Sequence, residues 1–85
     1  MVDPSSISGR VGAVIRELRK ERGWSIEELC LTAGADPKYL SELERGKRNP
    51  SVEKLEGIAG AFGMTVWRLI QLAEDGESDD GARDD

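Results

Sequence analysis

Apolar residues recur at helical spacing in five blocks along this chain, each bounded by a residue that starts or stops helices. Val11, Val14, Ile15 and Leu18 mark the first, with Ser8 placed to cap it and Gly23 to end it. Ile26, Leu29, Cys30 and Ala33 form the second, and Leu40 and Leu43 the third. Val52, Leu55, Ile58, Ala59 and Phe62 give a broad fourth face, opened by Ser51 and closed by Gly63. Gly57 and Gly60 weaken that helix by roughly 1 kcal/mol each relative to alanine and point to close helix packing there. In the fifth block, Val66, Trp67, Leu69, Ile70, Leu72 and Ala73 crowd nearly every side of a short helix capped by Thr65. The pattern predicts an all-α, compact five-helix bundle.

The stretch from Trp24 to Pro50 carries the sharpest local signals. Ser25 and Glu28 have the S-x-x-E spacing of a capping box, and Trp24 and Leu29 occupy the positions of a hydrophobic staple. Gly34 tolerates a positive φ and lets that helix stop abruptly. Asp36 is a good N-cap and Pro37 suits the first position of the next helix, which Gly46 ends. Two helices of about two turns each, with so few residues between them, cross steeply as in a helix-turn-helix.

The run GxxIRELRKERGWSIEEL…AGADPKYLSELERGKRNPS…LEGIAGAFG resembles the phage-repressor (Cro/C1, or XRE) type of helix-turn-helix domain, over roughly residues 9–73. The combination of Gly34, Leu40, Leu43, LERGKRNPS and a following helix ending in AFG carries the resemblance. It implies a DNA-binding transcriptional regulator, most simply a repressor, acting in a bacterial or phage cytoplasm in association with the nucleoid. It also implies that Arg19 forms a buried ion pair with Glu44.

Composition is compatible with this and narrows it. The 85 residues predict one domain (9–73), a flexible N-terminus (1–8) and a disordered acidic tail (74–85). The net charge of −5 is unevenly spread. Residues 10–72 hold eleven Lys/Arg and nine Asp/Glu, whereas 73–85 hold seven acids against Arg83. The folded part is mildly basic, and the tail either solubilises the protein or competes with DNA for the basic face. Cys30, the single cysteine, reads as a small core residue. Histidine is absent, no metal-ligand spacing is visible, and no nucleophile–base pair or phosphate loop points to an enzyme, so no cofactor is implied. No signal peptide or membrane-length apolar run is present, and a soluble, cytoplasmic protein without membrane contact is expected.

If the second motif helix enters the major groove of double-stranded DNA, Pro37, Lys38, Ser41 and Glu42 are placed to read bases. Lysine can donate to guanine O6 and N7 and glutamate can accept from cytosine N4; the plainer reading of Lys38 and Glu42 is a surface i,i+4 pair. Ser25, Tyr39, Arg45, Lys47, Arg48 and Asn49 are the expected phosphate contacts, and Arg16 a weaker one. Two positions depart from the family: Ile26 stands where a glutamine often meets a phosphate, and Pro37 where a polar side chain often touches the first base. The surplus apolar surface at Trp67 and Ile70 predicts a homodimer interface, and a dimer would read a palindromic operator. Two rivals stay open. One is an antitoxin or restriction–modification controller with a second protein partner; the other is a helix-turn-helix module turned to protein–protein interaction.

Overall fold

The computed structural model describes residues 7–82, and side chains as far as residue 75. Its elements are five helices: α1 (Ile7–Glu21), α2 (Ile26–Ala33), α3 (Pro37–Glu44), α4 (Val52–Ala61) and α5 (Val66–Ala82). No strand occurs among the described residues, and the all-α, five-helix architecture is as the periodicity predicts. α1 packs against α5 and α3, α2 packs against α3 and α4, and α4 closes on α5.

The caps form as local chemistry dictates. Ser25 Oγ accepts from the Glu28 amide at 3.0 Å while Glu28 Oε1 accepts from the Ser25 amide at 2.7 Å. Asp36 receives the Tyr39 amide at 3.1 Å, Ser51 the Lys54 amide at 3.1 Å and Thr65 the Arg68 amide at 3.0 Å. Gly34, at φ 69°, turns the chain out of α2 with its N–H on the Cys30 carbonyl at 2.8 Å, two residues before Asp36 caps α3.

Ile15, Leu29, Leu40, Leu43, Ile58 and Leu69 are the largest fully buried side chains, so every helix gives at least one residue to a single core. Two glycines permit its density. A Cβ on Gly12 would lie 2.0 Å from the Leu43 carbonyl oxygen, and one on Gly57 would lie 2.8 Å from that of Ala33. α1 thus rides on the backbone of α3, and α4 on the end of α2. The close packing expected at both Gly57 and Gly60 holds only at Gly57, since nothing lies within 4 Å of a Cβ on Gly60.

Three other expectations change. Helix α1 begins at Ile7, so Ser8 lies inside it rather than capping it; residues 1–6 of the expected flexible N-terminus lie outside the described residues. The expected disordered tail begins at residue 74, yet α5 continues to Ala82; residues 83–85 lie outside the described residues. Loss of apolar periodicity reports loss of burial, not loss of backbone hydrogen bonds, and a helix nucleated by packed residues propagates at one bond per residue. Trp24, the expected staple residue, packs against the core cluster that contains Leu29 and also stacks on Phe62, with ring centroids 5.6 Å apart and planes 12° from parallel. Arg22 lies over both rings and donates to the Phe62 carbonyl at 3.2 Å. Val52, assigned to the buried face of α4, is 65% exposed because it occupies the helix's first position, short of the core.

Candidate nucleic-acid interface

Helix α3 is held from beneath and from one end. Leu40 and Leu43 are fully buried, and Glu44, beside them, is the buried charge of the described residues. Arg19 of α1 meets Glu44 side by side, with Nε to Oε2 at 2.8 Å and Nη2 to Oε1 at 3.0 Å, and its Nη1 donates to the Trp24 carbonyl at 2.8 Å. The hydrogen bonds that Arg19 donates to Glu44 hold its guanidinium above its ordinary pKa, against the opposing effect of burial. One arginine therefore ties α1, the α1–α2 turn and the end of α3 together. Such a pair specifies how helices dock more than it adds stability.

The outward side of α3 carries Pro37, Lys38 and Arg45 exposed, with Ser41 and Glu42 half-buried. Lys38 and Glu42 do not form the i,i+4 surface pair that is the plainer reading of their spacing. Glu42 Oε1 instead accepts from Arg48 Nε at 2.9 Å, across the turn that follows α3. That hydrogen bond holds the Glu42 carboxyl below its ordinary range, with Arg48, Lys38 and Arg45 adding through-space attraction. Arg48 also lies 5.4 Å from the centre of the Tyr39 ring, and Lys54 Nζ lies 5.4 Å from the same ring.

Tyr39 is consequently not placed as a phosphate donor. Its hydroxyl is buried without a hydrogen-bond partner, burial raises its pKa, and the ring packs against the core. It is a platform that orients two cations. Ser25 is partly committed: its amide donates to the Glu28 carboxylate and its Oγ accepts from the Glu28 amide, which leaves the hydroxyl proton as the group it can offer a phosphate. Lys47, Arg48 and Asn49 remain exposed in the loop. Arg16, exposed on α1, shares an open cleft of about 460 Å³ with Arg19, Ile26, Ser41, Glu44 and Arg45. The pairing of Glu42 with Arg48 and the cleft escaped sequence reasoning, because both depend on how the loop and α1 fold back beside α3.

The fold has known counterparts. The Helix-turn-helix family model HTH_3 matches residues 15–66, from the middle of α1 to the first residue of α5. The chain belongs to the Cro/C1-type helix-turn-helix family. Among its relatives, the HTH-type transcriptional regulator DdrOP3 of Deinococcus deserti is 43% identical over 60 residues, covering 71% of this chain and 46% of that one. The regulator SinR of Bacillus subtilis is 36% identical over 70 residues, covering 81% of this chain and 63% of that one. The chain thus spans about half to two thirds of the length of these curated relatives. The crystal structure of SinR in complex with DNA superposes with a TM-score of 0.66 at 38% identity, covering 71% of this chain and 97% of that one. The restriction–modification controller C.Esp1396I, solved as a tetramer on its 35 base-pair operator, gives 0.75 at 27% identity, covering 84% and 93%.

As a Cro/C1-type domain, the chain has α2 and α3 as its helix-turn-helix pair, and the face described above is the outer face of the second motif helix. No helix of the described residues is long and apolar enough to cross a membrane. The surface assigned to dimerisation divides unequally. Trp67 is 76% exposed, whereas Ile70 is half-buried against the core, so the projecting part of that patch is the indole.

Proposed function

We propose that this chain is a sequence-specific double-stranded DNA-binding transcriptional regulator, most simply a repressor, that reads a palindromic operator as a homodimer. The observation that carries the reading is the state of α3: clamped on its inner side by Leu40, Leu43 and the Arg19–Glu44 pair, and open on its outer side with Lys38 and Arg45 exposed. A rigid helix with free donors suits the major groove, where lysine recognises guanine. Glu42, neutralised by Arg48, can lie near the duplex without repelling phosphates and retains one oxygen for a cytosine amino group. Lys47, Arg48 and Asn49 supply backbone contacts at the helix's far end. The DNA complexes of SinR and C.Esp1396I support the same use of the fold. No catalytic step or cofactor enters this reading, and its setting is the bacterial or phage cytoplasm, at the nucleoid.

Trp67 is the proposed centre of the dimer interface, with Ile70 behind it. A twofold pair would place two copies of α3 about one helical turn, roughly 34 Å, apart. The restriction–modification controller reading keeps the same surface and adds a different gene context, and the likeness to C.Esp1396I favours it as the second choice. Titration of the purified chain against duplex DNA at several salt concentrations tests the reading. Affinity should fall linearly with salt on logarithmic axes, by about 0.9 per phosphate neutralised. Absence of salt-dependent binding would move the chain to the protein-interaction reading.

A further inference from the structure

The cleft between α1, α2 and α3 has a charge pattern that its own residues do not balance. Arg19 and Glu44 form a neutral unit at its base, with three guanidinium nitrogens of Arg19 engaged. The other two cations, Arg16 and Arg45, are exposed and make no side-chain hydrogen bond to the described residues. Arg16 has Gly12, Ala13, Arg19 and Lys20 three and four positions away on its helix, so no carboxylate reaches it along α1. Arg45 feels Glu42, but the hydrogen bond of Glu42 goes to Arg48. The cleft therefore offers an anion two positive side chains from separate helices, the Ser41 hydroxyl, and an apolar wall at Ile26 that donates nothing.

We infer that this cleft seats one backbone phosphate of bound DNA, gripped by Arg16 from α1 and Arg45 from the end of α3, with Ser41 donating to the same group. The inference rests on the DNA-binding reading above and deepens it by making α1 part of the interface. A phosphodiester matches the site better than a free carboxylate. Two guanidinium groups and a hydroxyl approaching from different directions can engage its two unesterified oxygens, and the cleft is open enough for a strand to pass across it. Because Arg45 follows directly on α3, a phosphate fixed here would set how far that helix sits along the groove.

The test uses the full chain and the duplex to which it binds most tightly. Arg16→Ala and Arg45→Ala are compared with wild type, alone and together, on the charged duplex and on duplexes carrying one uncharged methylphosphonate linkage at successive positions. Arg16 is exposed, so the thermal unfolding of its variant should match wild type. The expected result is one linkage per half-site whose neutralisation weakens wild type by at least about tenfold but leaves the Arg16→Ala, Arg45→Ala double variant unchanged. Arg16→Lys should recover part of the loss. Equal binding and salt slope for Arg16→Ala and wild type would overturn the phosphate seat while leaving DNA binding intact. A wild-type chain that binds no duplex would overturn both.

Discussion

At the scale of single residues, Glu42 shows how one contact changes an assignment. It lies near three cations, but it hydrogen-bonds Arg48, and that leaves Lys38 free of a side-chain partner among the described residues. Lys38 is then the side chain with most freedom to read a base. Lys38→Ala should cost about 1–3 kcal/mol at the preferred site and relax preference at one base pair, with little change on random DNA. Arg48→Ala should weaken binding to all sequences and lower the salt slope by about one ion. It also releases an unpaired carboxylate, so a Glu42→Gln change in the Arg48→Ala background should recover part of the affinity. Competition titrations against specific and random duplexes check all three. Equal losses for Lys38→Ala on both duplexes would remove it from the base-reading set. None of this was legible from spacing alone: Lys38 and Glu42 stand four apart and Arg48 six beyond Glu42, and only the turn after α3 makes the longer pairing the closer one.

At the scale of helices, four of the caps were readable and the close contacts between helices were not. Ser25, Asp36, Ser51 and Thr65 cap as their residue types predict, because each contact spans three residues of local backbone. The Arg19–Glu44 pair spans 25 residues, and it was expected through family resemblance, not spacing. Gly12 carried no signal, since its role appears only where α1 meets α3. That contact makes a sharp prediction. Gly12→Ala forces a methyl onto the Leu43 carbonyl and should destabilise the fold by about 1–3 kcal/mol or more. Gly60→Ala, in open space on the same scale of change, should stabilise it by about 0.4–1 kcal/mol. Urea unfolding monitored by circular dichroism separates the two, and a neutral Gly12→Ala would mean that α1 and α3 are not so tightly apposed. The boundary near residue 74 failed for a different reason: charge and polarity mark where packing ends, while the helix itself runs on to Ala82.

For the molecule as a whole, the core and the interface oppose each other in a useful way. The buried set draws on all five helices, and α1 and α2 pack directly on α3, so the side chains proposed to read bases stand on a rigid support rather than a loop. Trp67 lies outside that set with most of its ring in solvent, which is costly for a lone chain and favourable once a second copy covers it. Trp67→Ala should therefore weaken self-association by about 2 kcal/mol or more while leaving the monomer's fold intact. Sedimentation equilibrium over a range of concentrations reads this, and an unchanged dimer would place the interface elsewhere. A dimer that forms through Trp67 also makes operator occupancy depend on protein concentration, a physical basis for switching.

Whether α3 reads sequence in twofold-related pairs is decided by selection of bound duplexes from a randomised pool at near-physiological salt. The enriched duplexes should carry a palindrome whose half-sites lie about one helical turn apart, roughly 34 Å, with a G·C pair facing Lys38. Recovery of no preferred sequence by intact, folded protein would contradict that reading of α3.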